Sequence, residues 1–201
     1  MTEWEKAQAG YLYDANYDEA LVKQREACAD LCYEFNNCRP SDTDKQKELL
    51  HRIIGNIKGE IVVTAPFYAD YGCNISVGDN FYTNHNVTIL DGAKVTFGDN
   101  VFIAPNCVFS TAGHPLDVEQ RNKGLEIALP ITVGDNVWIG TNVSVLPGVK
   151  IGSNTVIGAG STVNKDIPDG VIAAGNPCKV IRKITDEDKK KYPVLEQGKR
   201  I

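Results

Sequence analysis

From Val133 onward the chain repeats every six residues. Val133, Ile139, Val145, Ile151, Ile157 and Val163 mark the period. The residues that follow them are Gly134, Gly140, Leu146, Gly152, Gly158 and Asn164. Four places after each anchor stand Val137, Val143, Val149, Thr155, Ser161 and Ile167. Matches at three coupled positions leave few architectures open. Six residues hold one short strand and one corner, and such a unit cannot bury its own aliphatic side chain. Stacked coils bury it instead, each strand pairing with the coils above and below. The expected fold class is mainly β, a parallel β-helix. Its anchor and the residue four later point inward, and Gly or Asn after the anchor supplies unusual corner angles.

The pattern runs upstream less regularly. Val77-Gly78 with Phe81, Thr83 with Val87, and Ile89 keep the period. Phe97-Gly98 comes eight residues after Ile89, so one corner carries two extra residues, and Ile103-Ala104 with Cys107 and then Phe109 continue. The repeat stops between about Thr111 and Pro130 and resumes in phase, since Val133 lies 24 residues after Phe109. The interruption therefore reads as an excursion from an intact solenoid, and such loops often carry binding functions. Residues 1–58 differ. Leu21, Arg25, Cys28, Cys32 and Phe35 fall at helical spacing, Pro40-Ser41 breaks the chain, and Asp42 or Asp44 caps a second helix running through Ile54. The expected organisation is a helical extension over 1–58, a β-helix over 59–184 with an inserted loop at 111–130, and a charged tail over 185–201. That tail holds a short helix after Thr185 ended by Pro193.

Composition excludes several functions. The net charge of −5 disfavours nonspecific nucleic-acid binding. Residues 165–201 nevertheless carry nine Lys and Arg against six Asp and Glu, a basic bias suited to a small phosphorylated ligand. No apolar run approaches a membrane span, and the first residues lack a secretory pattern, so a cytoplasmic location is expected. The six cysteines form no CxxC pairs and read as reduced, structural thiols. No phosphate-binding glycine loop is present, because the repeat accounts for the glycines.

The hexapeptides resemble those of the bacterial hexapeptide transferases. The segments Tyr71-Gly72-Cys73-Asn74-Ile75, Phe81-Tyr82-Thr83-Asn84, Thr111-Ala112-Gly113-His114-Pro115, Asn136-Val137-Trp138-Ile139-Gly140 and Gly175-Asn176-Pro177 are similar to the maltose, galactoside and nodulation-type sugar O-acetyltransferases. So is Pro130-Ile131-Thr132-Val133-Gly134, and Ala9-Gly10-Tyr11-Leu12-Tyr13-Asp14 looks like their helical extension. The resemblance implies a left-handed coil, a homotrimer with active sites between subunits, acetyl-coenzyme A as co-substrate, and a sugar hydroxyl as acceptor. Gly92 stands beside Asp91 where galactoside enzymes carry a second acid, which leaves the maltose type closer.

Acetylating a hydroxyl needs a base near the nucleophile and a donor near the thioester oxygen. Of the three histidines, His51 falls on a helix, His85 follows a repeat anchor, and His114 opens the excursion, where Pro115 restricts it to an extended backbone. The motif makes His114 the general base. Asn84 matches the asparagine that stabilises the oxyanion or positions the acceptor. Tyr82, Asp14 or Asn16, and Glu126 would line the acceptor site, and Glu126 would alternatively orient His114. Trp138, Thr141, Ala159, Asn164 and Lys165 match the positions that line the cofactor groove, with Lys179 and Arg182 meeting its phosphates. No metal is implied. Other acceptors remain open (an amino sugar, an antibiotic or serine), as does a non-catalytic scaffold. A zinc hydrase on the same solenoid would need a third solenoid histidine after His114, and none follows.

Overall fold

The structure is a computed structural model that describes residues 1–192. Three parallel sheets form the sides of a prism of about six coils. The first face stacks Asn56–Ile57, Ile75–Val77, Val95–Phe97, Ile131–Val133 and Lys150–Ile151. The second stacks Ile61–Val63, Phe81–Thr83, Phe102–Ile103, Trp138–Ile139, Val156–Ile157 and Val171–Ala174. The third stacks Phe67–Ala69, Val87–Leu90, Val108–Ser110, Ser144–Val145 and Thr162–Val163. The chain visits the faces in turn, so each coil contributes one strand to each. Every anchor from Val133 to Val163 is at most 2% exposed, and Val137, Val143, Val149, Thr155, Ser161 and Ile167 are buried beside them. Period-six patterning and hydrophobic burial are thus one fact.

The glycine after the anchor has a different reason from the one expected. It is needed because the coils approach closely: a Cβ on Gly134 would lie 2.8 Å from the Ser153 nitrogen, and one on Gly140 2.6 Å from that of Ala159. The left-handed angle falls two residues later, at Asn80, Asn100, Asn136, Asn142 and Asn154, all with φ between 54° and 60°. Asparagine tolerates this region better than most side chains. Along the corner between the first and second faces four of them, Asn80, Asn100, Asn136 and Asn154, form a ladder. The Asn80, Asn100 and Asn136 amides donate in turn to Asn100, Asn136 and Asn154, at 2.8, 3.1 and 3.0 Å.

The corner from the third face to the first behaves otherwise. It carries the extra residues after both Ala69 and Leu90, and its third crossing is the whole excursion from Thr111 to Pro130. Phe97 still pairs with Val133 in parallel register across that excursion, so the solenoid is continuous, as the phase implied.

Helix α1 spans Glu3–Gln8, α2 Glu19–Asn36 and α3 Thr43–Ile53. Leu21, Cys28, Cys32 and Phe35 form the buried stripe of α2, and Asp42 caps α3 by accepting from the Lys45 nitrogen. The helices close the first-coil end. The segment Ala9–Asp14, expected to belong to a helical extension, is a turn followed by the strand Tyr13–Asp14. That strand pairs antiparallel with Leu125–Ala128, which pairs antiparallel with Ala112–Gly113. A second small core forms beneath this sheet, from Ala7, Tyr13, Ala15, Leu21, Tyr71, Ala93 and Ala128. Tyr71, Ala93 and Ala128 come from three successive crossings of the same corner. At the far end Lys179–Lys183 folds back antiparallel on Val171–Ala174, and a 3-10 turn spans Asp186–Lys190. The expected boundary at Pro193 lies outside the described residues.

Candidate active site

The excursion strands carry His114. Its Nδ1 lies 3.3 Å from the Leu125 carbonyl, and its Nε2 lies 4.0 Å from Glu126 Oε1. A carbonyl only accepts, so Nδ1 carries the proton and donates it, which leaves the Nε2 lone pair free. The Leu125 carbonyl therefore orients the ring. Glu126 stands on the other side, beside Nε2. The imidazole is half exposed, while the Glu126 side chain is only 18% exposed.

Glu126 is held from the N-terminal extension. Tyr13 donates its hydroxyl to Oε2 at 3.4 Å, and Asn16 donates to Oε1 at 3.3 Å and to the Gly124 carbonyl at 2.9 Å. Burial and the Glu126 carboxylate raise the Tyr13 phenol well above its ordinary range, so it remains a donor. Asp14 folds its carboxylate into its own turn, accepting from the nitrogens of Asn16 and Tyr17. Of the two residues weighed as a sugar contact, Asn16 is the one against Glu126.

Asp91 is fully buried and accepts from the backbone nitrogens of Asp70, Tyr71 and Asn74 at 3.1, 2.8 and 3.2 Å. It fastens the first elongated corner to the second and has no free face for a ligand. At neighbouring Gly92 an added Cβ would meet the Tyr13 hydroxyl at 3.0 Å, so the missing second acid makes room for Tyr13. Asp70, which sequence reasoning passed over, lies in the same cluster. Burial, with the Asp91 charge second, pushes its carboxyl up to about 6. The signal for it was a carboxylate heading a corner of eight residues instead of six.

Asn84 lies at the corner between the second and third faces. Its backbone nitrogen donates to the Ile103 carbonyl, its Oδ1 accepts from the His85 nitrogen at 2.8 Å, and its amide NH2 makes no hydrogen bond among the described residues. Thr141 and Ala159 occupy the same corner two and three coils further on. Thr141 donates to the Pro105 carbonyl at 2.9 Å. Tyr82 and Trp138 point outward on the second face, paired through Phe102, and Trp138 is 55% exposed. His114, Glu126 and Asp14, with Asn164 and Lys165 on a later coil, belong to the corner between the third and first faces. The candidate residues thus fall into two groups on different edges of the prism. Lys179 is exposed, whereas the Arg182 guanidinium is held by Asp188 through two hydrogen bonds of 2.8 and 2.6 Å. Among the described residues no group of three or more His, Cys, Asp and Glu is placed to hold a metal, and no helix is long and apolar enough to cross a membrane.

Residues 6–59 match the profile described as the maltose acetyltransferase hexapeptide capping motif, and residues 130–165 match six repeats of the bacterial transferase hexapeptide. Galactoside O-acetyltransferase of Escherichia coli K12 is 48% identical over 192 residues, covering 96% of this chain and 94% of that enzyme. A solved galactoside acetyltransferase in complex with coenzyme A superposes with a TM-score of 0.92 at 46% identity, over 98% of this chain and all of that one. A maltose O-acetyltransferase from Clostridium difficile 630 gives 0.90 at 48% identity, over 92% and 99%. Its coils, its capping helices and an identity of nearly one half with these enzymes over almost the whole chain place it among the hexapeptide-repeat acyltransferases, in the galactoside and maltose O-acetyltransferase family.

Proposed function

We propose that the chain transfers the acetyl group of acetyl-coenzyme A to a hydroxyl of a sugar, with His114 as general base. The observation that carries this reading is the fixed imidazole: Nδ1–H is spent on the Leu125 carbonyl, and Nε2 faces the open side beside Glu126. Nε2 accepts the hydroxyl proton as the sugar oxygen bonds to the thioester carbon. The amide NH2 of Asn84 meets the oxyanion that develops. Collapse of the tetrahedral intermediate breaks the carbon–sulfur bond, and the imidazolium returns its proton to the leaving thiolate. Glu126 steadies the imidazolium and accepts from an acceptor hydroxyl, and Asn16 and Tyr82 extend that polar rim. The coenzyme A complex of the related galactoside enzyme supports the donor. Trp138, Thr141 and Ala159 would flank its pantetheine, with Asn164 and Lys165 on the opposite wall. Lys179 would meet its phosphates, and Arg182 would do so in competition with Asp188.

The two half-sites call for a second copy. A homotrimer that sets the second face of one chain against the His114 edge of the next unites them, and it covers the apolar column of Val62, Tyr82, Phe102 and Trp138. Thiol release from acetyl-coenzyme A, followed with maltose, glucose, a galactoside and no acceptor, tests the reaction. Sugar-dependent release should fall by about 10²–10⁴ in His114→Ala with the fold retained. Full activity in that variant would sink the mechanism, and an active monomer in a sizing experiment would sink the shared site.

A further inference from the structure

The small antiparallel sheet at the excursion lines up three side chains. Leu125–Ala128 is its middle strand, with Tyr13–Asp14 on one side and Ala112–Gly113 on the other. Tyr13 stands directly opposite Glu126, and Gly113 opposite Ile127. One residue on, the same register sets His114 opposite Glu126, and the 4.0 Å between Nε2 and Oε1 agrees with that. Opposed residues of an antiparallel pair share a face. Tyr13, Glu126 and His114 therefore form one row across the sheet.

The members of the row differ in freedom. The Tyr13 ring is buried in the second small core, against Leu21, Tyr71 and Ala128. Its hydroxyl reaches Glu126 Oε2 at 3.4 Å, and among the described residues neither atom has another hydrogen-bond partner. Asn16 reaches Oε1 from an exposed turn and divides its amide between Glu126 and the Gly124 carbonyl. The rigid partner of the carboxylate is thus the phenol. The carboxylate needs one, because the Asp70 carboxyl lies close enough to feel its charge and repels it. Gly92 makes room for the arrangement: a Cβ there would stand 3.0 Å from the Tyr13 hydroxyl and 3.4 Å from the Ala128 Cβ.

We propose that Tyr13 is a positioning residue for acyl transfer, its hydroxyl anchoring one oxygen of Glu126 so that the other stays beside His114 Nε2. The proposal rests on the acyl-transfer reading above and adds to it a residue of the N-terminal extension that acts on the base only through Glu126. Gly92 enters as the residue whose missing side chain lets that hydroxyl stand where it does.

The test is a set of double-mutant cycles on thiol release from acetyl-coenzyme A, with circular dichroism reporting the fold. Tyr13→Phe keeps the buried ring and removes only the hydroxyl. It should lower kcat with the sugar that the wild type uses by roughly tenfold, while KM for acetyl-coenzyme A stays within about twofold. In a Glu126→Gln background the same change should cost less than about twofold, because the group it holds is already altered. Gly92→Ala attacks from the other side by crowding the hydroxyl. It should lower kcat about threefold in the wild type and leave it unchanged in Tyr13→Phe, where there is no hydroxyl to displace. An equal loss from Tyr13→Phe with and without Glu126 would mean that the phenol serves the fold alone, and that overturns the proposal, as does undiminished kcat in Tyr13→Phe. Should Tyr13→Phe not fold, Gly92→Ala in the wild-type and Glu126→Gln backgrounds makes the same comparison, and equal losses there overturn the proposal. These outcomes leave acyl transfer standing. Absence of sugar-dependent thiol release in the wild type overturns the acyl-transfer reading, and the role of Tyr13 with it.

Discussion

The fourth and fifth coils and the first three are built from the same unit and differ at one corner. In the later coils Ile139 and Ile157, like Val145 and Val163, stand 18 residues apart and pair in register, so the corners are as short as the fold allows. In the earlier coils Phe67 pairs with Val87 and Tyr82 with Phe102, at a spacing of 20. The surplus falls each time on the corner between the third and first faces. There it becomes the Asp70–Asn74 turn, then the Asp91–Lys94 turn, then the excursion with His114. The regular half supplies rigid stacking and outward groove residues. The irregular half spends backbone on loops, and these gather under the N-terminal extension into the cluster of Tyr13, Glu126, Asp70 and Asp91. Regularity gives stability; the polar cluster and the proposed base sit where the period is broken at a fixed corner.

That contrast is open to direct attack. The most drastic change is to excise residues 112–129, three whole periods, so that Thr111 meets Pro130 as in an ordinary corner. Because Phe109 and Val133 are in phase, the solenoid should still fold, giving an undiminished β-type circular dichroism spectrum with no detectable acetyl transfer. Failure to fold would mean that the excursion is part of the framework. A smaller effect is expected from Asp70→Asn. The folded carboxyl lies near 6, above its ordinary 3.8, so the folded chain binds the extra proton. Asp70 thus stabilises the fold below pH 3.8, and that contribution declines as pH rises to about 6. The stability difference between wild type and Asp70→Asn, from thermal unfolding, should show that decline between pH 3.8 and about 6; parallel curves across the window would contradict the buried-acid picture. The smallest change lies beside Asn84. The Thr83 hydroxyl is buried without a hydrogen-bond partner among the described residues, so Thr83→Val should add about 1 kcal/mol in denaturant unfolding. A loss instead would show that the hydroxyl is satisfied.

The regular half was legible because its signal is local. An aliphatic at every sixth residue must face inward, and the phase across Thr111–Pro130 fixed the continuity of the coil. The cause of the corner glycines was missed because close approach belongs to the stack, and a single hexad does not contain its neighbour. The place of His114 at the head of the excursion was legible from the break in the repeat. The contacts of Glu126 and Asn16 were only half legible, since they depend on Tyr13–Asp14 lying antiparallel to Leu125–Ala128, a pairing between segments more than a hundred residues apart. Nothing in the period told that the Asp91 carboxylate is taken up by three backbone nitrogens of the preceding corner.

The reversed strand Lys179–Lys183 has a consequence for length. A parallel coil ends in a row of open amides and carbonyls that invites another coil, from the same chain or from a neighbour. Nothing in the hexapeptide says when to stop; the same six letters would serve a rod of any length. Turning the last strand against the direction of the stack ends the ladder on a register no further coil can copy, and the helices do the same at the opposite end. The chain is therefore a finite enzyme and not a growing fibre because of two non-repeating pieces.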